Sequence, residues 1–562
     1  MAERTKTTKG IKLIALLLVS VLIFAACGTA GGGGTAPAGD GAAAPATADA
    51  PATAADTNDA DDDVPTLLIG LQSHITIEDI NTNWLTLHTE EQLGVNLEFD
   101  EFAATIDDAR TRFSLMVTAG QTLPDVIAFN FTQIQIMEYA RMGIFQPITQ
   151  YFYDPVVAPN ITSMLPSDID PIMAMLRMPD GEIYSLFSHA QFQWNEGPFR
   201  MWYNWEMLEE LGLEPPRTTD EFTHVLRTVV ESDPMRIGVV GASEGWGHNV
   251  IVWIMNAFTY ANPDRQWMNV ENGVLTSSLH SPGWVEGLRY LNMLYEEGLL
   301  APESFIQSPG ELTALAMHEE GIAAFIPAGS FATFGNTGPA AQRTWLAEPL
   351  TGPNGVSYAA FNPNIPSQQW FITRDAADPA LAFHVGDFFL SDEMSLSVQS
   401  GPYGVSWTND MAVREQWVGT FLDVPDYVVF PELNAWNVPG NTIWGGQGPR
   451  FERWAFRQGA SRMPRDQYDT WPYGNWNAIH LDTYVTRFPA EAVTRRVQTM
   501  EELEEIAMME VAIEEHISTM NAMFVTGQRS IDEFDAFLQE LETLGYSRLI
   551  ELYQAGHTRS MQ

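Results

Sequence analysis

The only cysteine of the 562-residue chain, Cys27, lies where an apolar run ends and a glycine run begins, in VLIFAACGTAGGGG, residues 21–34. The chain beyond it must therefore fold without an intramolecular disulfide. The same absence excludes thiol catalysis, thiolate zinc sites and iron–sulfur clusters from that part of the chain.

The residues before Cys27 have the pattern of an export signal. A basic patch at residues 4–12 overlaps an apolar run at residues 11–24. This run is shorter than the ~20 residues that a membrane-spanning helix needs, so a retained transmembrane segment is the weaker interpretation. The residues AACG resemble a bacterial lipobox, in which the cysteine is lipidated and becomes the new N-terminus. Phe24 departs from the leucine most often found at its position.

We therefore predict a lipoprotein signal peptide at residues 1–26 and lipidation of Cys27. The alternative is a buried, inert cysteine near an ordinary cleavage site. Residues 28–63 are almost wholly Gly, Ala, Thr, Pro and Asp, a composition that cannot bury a core. The segment 27–63 is predicted to be a lipidated, disordered tether. Folding should begin near Val64, which leaves almost 500 residues, enough for two domains or lobes.

Composition excludes several further classes of function. All three lysines lie at or before Lys12, which argues against a Schiff-base enzyme and a P-loop nucleotidase for the exported chain. The formal net charge of -44 argues against nucleic acid as a partner.

After Val64, short β-like runs alternate with amphipathic helical stretches, as in an α/β fold. TLLIG, VNLEF and LPDVIAFN predict three strands, and helices are predicted around residues 82–93, 109–117 and 133–142. This β-α-β-α-β-α order predicts a mostly parallel sheet.

Two later helices carry clear terminal signals. In YNWEMLEELGLEPPRTTDEF, Gly212 suits the left-handed position that ends a helix, and Thr218 with Glu221 forms a capping-box pattern for the next helix. Apolar residues at helical spacing over residues 284–295 predict a further helix, closed by Gly298.

Seven motifs follow one another in a characteristic order: LPDVIAFN, DGEIYSL, YNWEMLEELGLEPPRTTDEF, LRYLNMLYEEGLLAPESF, GIAAFIPAGSF, DPALAFHVGDFFLSDEM and SGPYGVSW. Together they resemble the extracellular solute-binding proteins of bacterial ABC importers, in the sugar- and oligosaccharide-binding group. FVTGQRSIDEFDAFLQELETLGYSRLIELYQ is similar to the end of larger lipoproteins in that group. The resemblance covers most of residues 64–562. It is weakest at 408–500, interpreted as an insertion or a diverged part of the second lobe.

The resemblance implies an α/β, two-lobed, periplasmic-binding-protein-like type II fold with an interlobe cleft and C-terminal helices. Such lobes close on a ligand by hinge motion. We predict that residues 64–186 and 370–425 form lobe 1 and that residues 187–369 and 426–562 form lobe 2. DGEIYSL should enter the first crossover and WFITRD the second.

Ligands of open α/β sheets bind beyond the carboxyl ends of strands, so the loops after PDVIAF, IGVVG and AAFIPAG should face the cleft. In sugar-binding relatives, aromatic side chains at such loops stack on sugar rings. Trp246 is flanked by glycines, which leaves less helix or strand to bury it, whereas each other aromatic could equally be core. The predicted ligand-binding residues are Phe129, Asn130, His189, Trp194, Trp246, Ser330, Phe331 and Trp407.

The resemblance further implies a monomer that binds a carbohydrate, an oligosaccharide, on the outer face of the cell membrane and delivers it to ABC permease subunits. It implies no enzyme activity, cofactor or nucleic-acid partner. Three alternatives stay open: an esterase built on GASEG, residues 241–245, a surface glycoside hydrolase with two carboxylates, and a binding protein for a non-sugar solute such as a peptide.

Some larger relatives carry a calcium loop after the helix that begins at the TTDEF-like segment. The corresponding residues here, ESDPMRIGVV, lack the spaced oxygen ligands of such a loop. We therefore predict no metal at this position.

Overall fold

A computed structural model describes residues 64–561, apart from residues 75, 192, 336–337, 419–423, 431–432, 434–439, 454–459, 462, 465–479 and 494–495. The predicted signal peptide, Cys27 and the predicted tether lie outside the described residues, as does part of the segment 408–500.

The described strands form two main sheets and three small ones. In chain order they are β1 Thr66–Gln72, β2 Asn96–Phe102, β3 Val126–Ile127, β4 Ser185–Ala190, β5 Met201–Asn204, β6 Ile237–Val239, β7 Met268–Glu271, β8 Val274–Ser277, β9 Ala323–Pro327, β10 Thr344–Leu346, β11 Ser367–Ile372, β12 Trp407–Thr408, β13 Trp417–Val418, β14 Tyr427–Val429, β15 Arg450–Glu452, β16 Ala460–Ser461 and β17 Met463–Pro464.

The first main sheet has the order β15-β4-β11-β3-β1-β2. Strands β1, β2 and β3 are parallel, as the sequence predicts, and β15 is parallel to β4. Strand β11 lies antiparallel between β3 and β4. The carboxyl ends of β1, β2, β3 and β4 therefore point towards the same edge of this sheet.

The second main sheet has the order β10-β5-β9-β6. Strands β6 and β9 are parallel, while β5 is antiparallel to both β9 and β10. The small sheets pair β12 with β14 and β16, β13 with β17, and β7 with β8.

Helices pack against both main sheets. The α-helices are α1 Trp84–Leu93, α2 Ile106–Thr118, α3 Gln133–Arg141, α4 Pro159–Ser163, α5 Pro166–Leu176, α6 Gln193–Glu196, α7 Trp205–Glu210, α8 Thr219–Ser232, α9 Val250–Met255, α10 Pro282–Glu296, α11 Pro309–Ala316, α12 Pro339–Gln342, α13 Pro379–Phe388, α14 Asp392–Ser400, α15 Met411–Arg414, α16 Met500–Val525, α17 Phe534–Leu544 and α18 Tyr546–Ser560. Among the described helices, none is long and apolar enough to cross a membrane.

Local sequence signals set several of these boundaries. Thr218 and Glu221 form the predicted capping box at the start of α8, with the side chain of each bound to the backbone of the other. Gly298 follows α10 with φ 71°, in the left-handed region that glycine adopts without strain.

Each main sheet has its own hydrophobic core. In the first sheet, neighbouring residues alternate between two faces, so Val126 packs with Ile69 and Trp370 on one face while Ile127 packs with Phe113 on the other. The core of the second sheet continues into the C-terminal helices α16, α17 and α18. These helices therefore belong to the second sheet's half of the molecule.

The chain passes between the main sheets at residues 191–200, from β4 to β5, and again at residues 347–366, from β10 to β11. DGEIYSL leads into β4, before the first passage, and WFITRD follows the second passage within and after β11. Strand β15 pairs in the first sheet, although the predicted lobe 2 includes residues 426–562. The lobe boundaries stay a prediction.

Candidate functional site

One edge of the second sheet collects three loops from distant parts of the chain. Strands β6 and β9 are parallel and end at this edge, where the antiparallel β5 begins. The loops after β6 and β9, and the end of the first passage, therefore meet there. This is the edge at which α/β sheets bind ligands.

Trp246 lies in the loop after β6 at this edge, and 46% of its surface is exposed. Its neighbours Gly245 and Gly247 have φ of 103° and 75°, values that side-chain-bearing residues rarely adopt. A Cβ atom at Gly247 would clash with the carbonyl oxygen of Pro198. These two glycines therefore allow the loop after β6 to pack against the first passage. The same loop leaves Trp246 exposed to solvent.

The loop after β9 supports the Trp246 ring. The backbone N–H of Gly329 donates to the carbonyl oxygen of Trp246 at 2.9 Å. A Cβ atom at Gly329 would lie 2.6 Å from Cε3 of Trp246, so the ring packs directly on the glycine backbone. The Gly329 backbone therefore supports the Trp246 ring, and part of the side chain stays exposed to solvent, as stacking on a ligand requires.

Arg200 joins the three loops beneath this platform. The residue is fully buried, and its guanidinium carbon lies 3.1 Å from the ring centroid of Trp194 and 5.9 Å from that of Trp246. Its Nη1 donates to the carbonyl oxygen of Gly329 at 2.6 Å and its Nε to Nδ1 of His480 at 3.3 Å. Burial lowers the pKa of Arg200 well below its ordinary value.

Sequence reasoning missed Arg200. In RMWYN it precedes a strand, and no local pattern shows that its side chain meets Gly329 and His480, which lie 129 and 280 positions further along the chain.

Four of the predicted ligand-binding residues meet at this edge: Trp194, Trp246, Ser330 and Phe331. Trp194 and Phe331 are buried, and both rings pack against Trp202. Ser330 is half-buried, and its hydroxyl accepts a hydrogen bond from the N–H of Ala332 at 3.1 Å. Among the three aromatic residues of this group, Trp246 is therefore the exposed one.

Three other predicted residues lie in cores. Phe129 is buried edge-on against Phe102, with ring centroids 5.1 Å apart. His189 is buried and stacked on Phe451, and burial, followed by the charge of Arg450, lowers the pKa of His189 to about 4.

Trp407 is also buried, and its indole N–H donates to the hydroxyl of Ser397 at 3.2 Å. It packs with Tyr427 in a separate small cluster. Ligand-binding roles for Phe129, His189 and Trp407 stay predictions.

Asn130, the remaining predicted residue, is exposed and lines a cavity of about 600 Å³. Arg110 donates from Nε to the Asn130 carbonyl oxygen and from Nη2 to Oδ1, both at 3.1 Å. The other walls of the cavity come from α5, the second passage and the C-terminal helices. Its lining includes none of the residues around Trp246.

The serine of GASEG lies in the Trp246 loop. Its hydroxyl, on Ser243, donates to the backbone carbonyl of Gln307 at 3.0 Å, whereas a catalytic serine donates to an imidazole. Within the described ranges, no group of three or more His, Cys, Asp or Glu side chains is placed to hold a metal ion.

The family described as bacterial extracellular solute-binding protein matches residues 90–395, more than half of the chain. The protein therefore belongs to this family.

Two relatives illustrate the range of similarity. The fructooligosaccharide ABC transporter substrate-binding protein FusA of Streptococcus pneumoniae is 22% identical over 517 residues, which covers 86% of this chain and 88% of the relative. Lipoprotein LipO of Bacillus subtilis is 24% identical over 198 residues, 34% of this chain and 36% of the relative.

Solved structures match over nearly the whole folded part. FusA in complex with kestose has a TM-score of 0.74 at 20% identity, covering 88% of this chain and 99% of that one. An extracellular solute-binding protein from Bifidobacterium longum subsp. infantis has a TM-score of 0.69 at 15% identity, covering 89% and 99%. The predicted two-lobed, periplasmic-binding-protein-like α/β fold with C-terminal helices is confirmed.

Proposed function

We propose that the protein captures a carbohydrate, in the form of an oligosaccharide, and delivers it to an ABC importer. Membership of the solute-binding family supports the capture of a solute. The relative FusA supports a carbohydrate as the ligand, since it is a fructooligosaccharide substrate-binding protein of an ABC transporter.

The observation that carries this proposal is the exposed Trp246. A tryptophan supported by the backbone of Gly329 presents a flat apolar face and an indole N–H at the ligand-binding edge of an α/β sheet. A sugar ring offers an apolar face of C–H groups and a rim of hydroxyls, which suit stacking and hydrogen bonding respectively.

Delivery requires other chains. The sequence has no Walker motif, so we propose a membrane permease and a cytoplasmic ATPase as partners. The protein acts as a monomer held at the outer face of the cell membrane by the lipid on Cys27. It has no enzyme activity, an assignment supported by the family and by the bond from Ser243 to a backbone carbonyl.

Thermal shift against a panel of oligosaccharides tests this function. The panel includes kestose, maltotriose and trigalacturonate, with tripeptides as the non-sugar class. A ligand at 100 times its Kd stabilises the native state by about 2.7 kcal/mol, which a melt detects.

The sugar that raises the melting temperature should be recovered unchanged by chromatography after prolonged incubation. Stabilisation by peptides alone, or cleavage of the sugar, would contradict the proposal.

A further inference from the structure

The cavity of about 600 Å³ lies where the first sheet's half of the molecule meets the C-terminal helices. One wall comes from the loop after β3 and the start of α3, and another from the end of α5. Opposite them lie Arg265 and residues of α16 and α18. A ligand in this space would contact both halves of the molecule at once.

The charged groups of the lining are three arginines and one glutamate: Arg177, Arg265, Arg496 and Glu510. An excess of guanidinium groups is notable in a chain with 72 acidic and 28 basic residues. The negative net charge of the protein repels anions, whereas the excess of arginine in this lining attracts them locally.

Arg265 and Arg496 form the centre of this positive wall. Burial lowers the pKa of Arg265, and the positive charge of Arg496 lowers it further. The two cations therefore lie close enough to repel each other. Nε of Arg265 is buried without a hydrogen-bond acceptor among the described residues. Arg496 is held in place, with its guanidinium carbon 3.7 Å from the ring centroid of Tyr553 and Nη1 donating to Gln266 at 3.1 Å.

The neighbouring carboxylates accept hydrogen bonds from uncharged donors. Glu510 accepts from the hydroxyl of Tyr553. Glu514 accepts from the amide of Gln266 at 3.1 Å, and Asp264 accepts from the amide of Asn362 at 2.5 Å. Nε of Arg265, which has no acceptor among the described residues, therefore keeps its donor capacity for a ligand.

We propose that this cavity binds an anionic group, a carboxylate or sulfate, carried by a saccharide-sized ligand, with Arg265 and Arg496 as its principal donors. Paired guanidinium groups suit such oxyanions because they donate several N–H groups in a fixed plane. Amide and hydroxyl groups of Asn130, Thr132, Gln368 and Gln498 also line the cavity and suit the uncharged rim of a sugar. The site is separate from Trp246 and goes beyond the proposed capture of a carbohydrate there.

Calorimetric titration of the full chain at 0.15 M salt tests the proposal, with trigalacturonate and its methyl ester as a pair that shares the sugar backbone but differs in the charge of the carboxyl groups. The acid should bind at least tenfold more tightly than the ester. Arg265→Gln should weaken binding of the acid at least tenfold and leave binding of the ester unchanged. Arg289→Gln, which alters an exposed arginine of α10 outside the cavity, should change neither.

Inorganic sulfate distinguishes a free anion from a saccharide acid. Competition by sulfate at millimolar concentration would show that the oxyanion itself is recognised, and binding of trigalacturonate without such competition would show that the sugar is required. Equal binding of acid and ester, or equal losses in the Arg265 and Arg289 variants, would overturn the proposal. Loss of neutral-sugar binding in Trp246→Ala, with the acid still bound, would show that the two sites are independent.

Discussion

The guanidinium carbon of Arg200 lies 3.1 Å from the ring centroid of Trp194, and the same group donates to Gly329 and His480. Arg200→Lys keeps the charge but loses the planar group that stacks and donates twice. We expect a loss of about 2 kcal/mol in the free energy of unfolding, measured by chemical denaturation.

Comparison with Arg200→Met separates the effect of the buried charge from the effect of side-chain packing. Methionine fills the same apolar space without a charge to desolvate, so this variant should be more stable than the lysine variant. A lysine variant as stable as the wild type would show that the stacking and hydrogen bonds contribute little.

The buried His189 should make stability depend on pH. Its folded-state pKa is about 4, below the ordinary 6.5, so the unfolded chain binds the proton more readily between these values. The stability that neutral His189 contributes is therefore present above pH 6.5 and is lost as the pH falls towards 4. Between pH 7 and pH 5 the wild type should lose about 2 kcal/mol that His189→Gln does not lose.

The control for this prediction is His224→Gln, which alters an exposed histidine of α8. Its pH profile should follow the wild type. Parallel profiles for the wild type and His189→Gln would contradict the account of His189.

Cys27→Ser should release the protein into the medium. A diacylglyceryl group adds two chains, and two chains anchor a protein stably where one binds only marginally. Fractionation of cells that express each form measures the change. Membrane retention equal to that of the wild type would contradict lipidation at Cys27.

Removal of the tether should leave folding and binding intact. A protein that starts at Val64 should keep the melting temperature and ligand affinity of the mature chain, because residues 28–63 have almost nothing apolar to bury. Differential scanning calorimetry of both forms gives the comparison. A decrease of many degrees would show that the segment packs on the fold.

Local rules explain the parts of the fold that the sequence predicts well. The capping box of Thr218 and Glu221 depends on residues three positions apart, and the face of α10 that buries Trp284, Leu288 and Leu291 depends on helical spacing. Such signals need no knowledge of the partner element.

Tertiary contacts explain what the sequence could not predict. Phe129 lies just beyond the end of a strand, where a residue that stacks on a ligand is expected. It is nevertheless buried, because Phe102 and Phe131 lie beside it. Strand β15 belongs to the first sheet through pairing with β4, about 260 positions away in the chain. Trp246 was predictable as exposed because Gly245 and Gly247 set its backbone locally.

Calorimetric titration of Trp246→Ala with the sugar found in the thermal-shift panel tests the central claim most directly. Truncation of a stacking tryptophan should cost about 2 kcal/mol of binding or more, roughly a 30-fold increase in Kd, with the melting temperature nearly unchanged. Tyr153→Ala, at another exposed aromatic residue, should alter neither quantity. Intact affinity with a lowered melting temperature in Trp246→Ala would contradict the claim, because Trp246 would then be a packing residue.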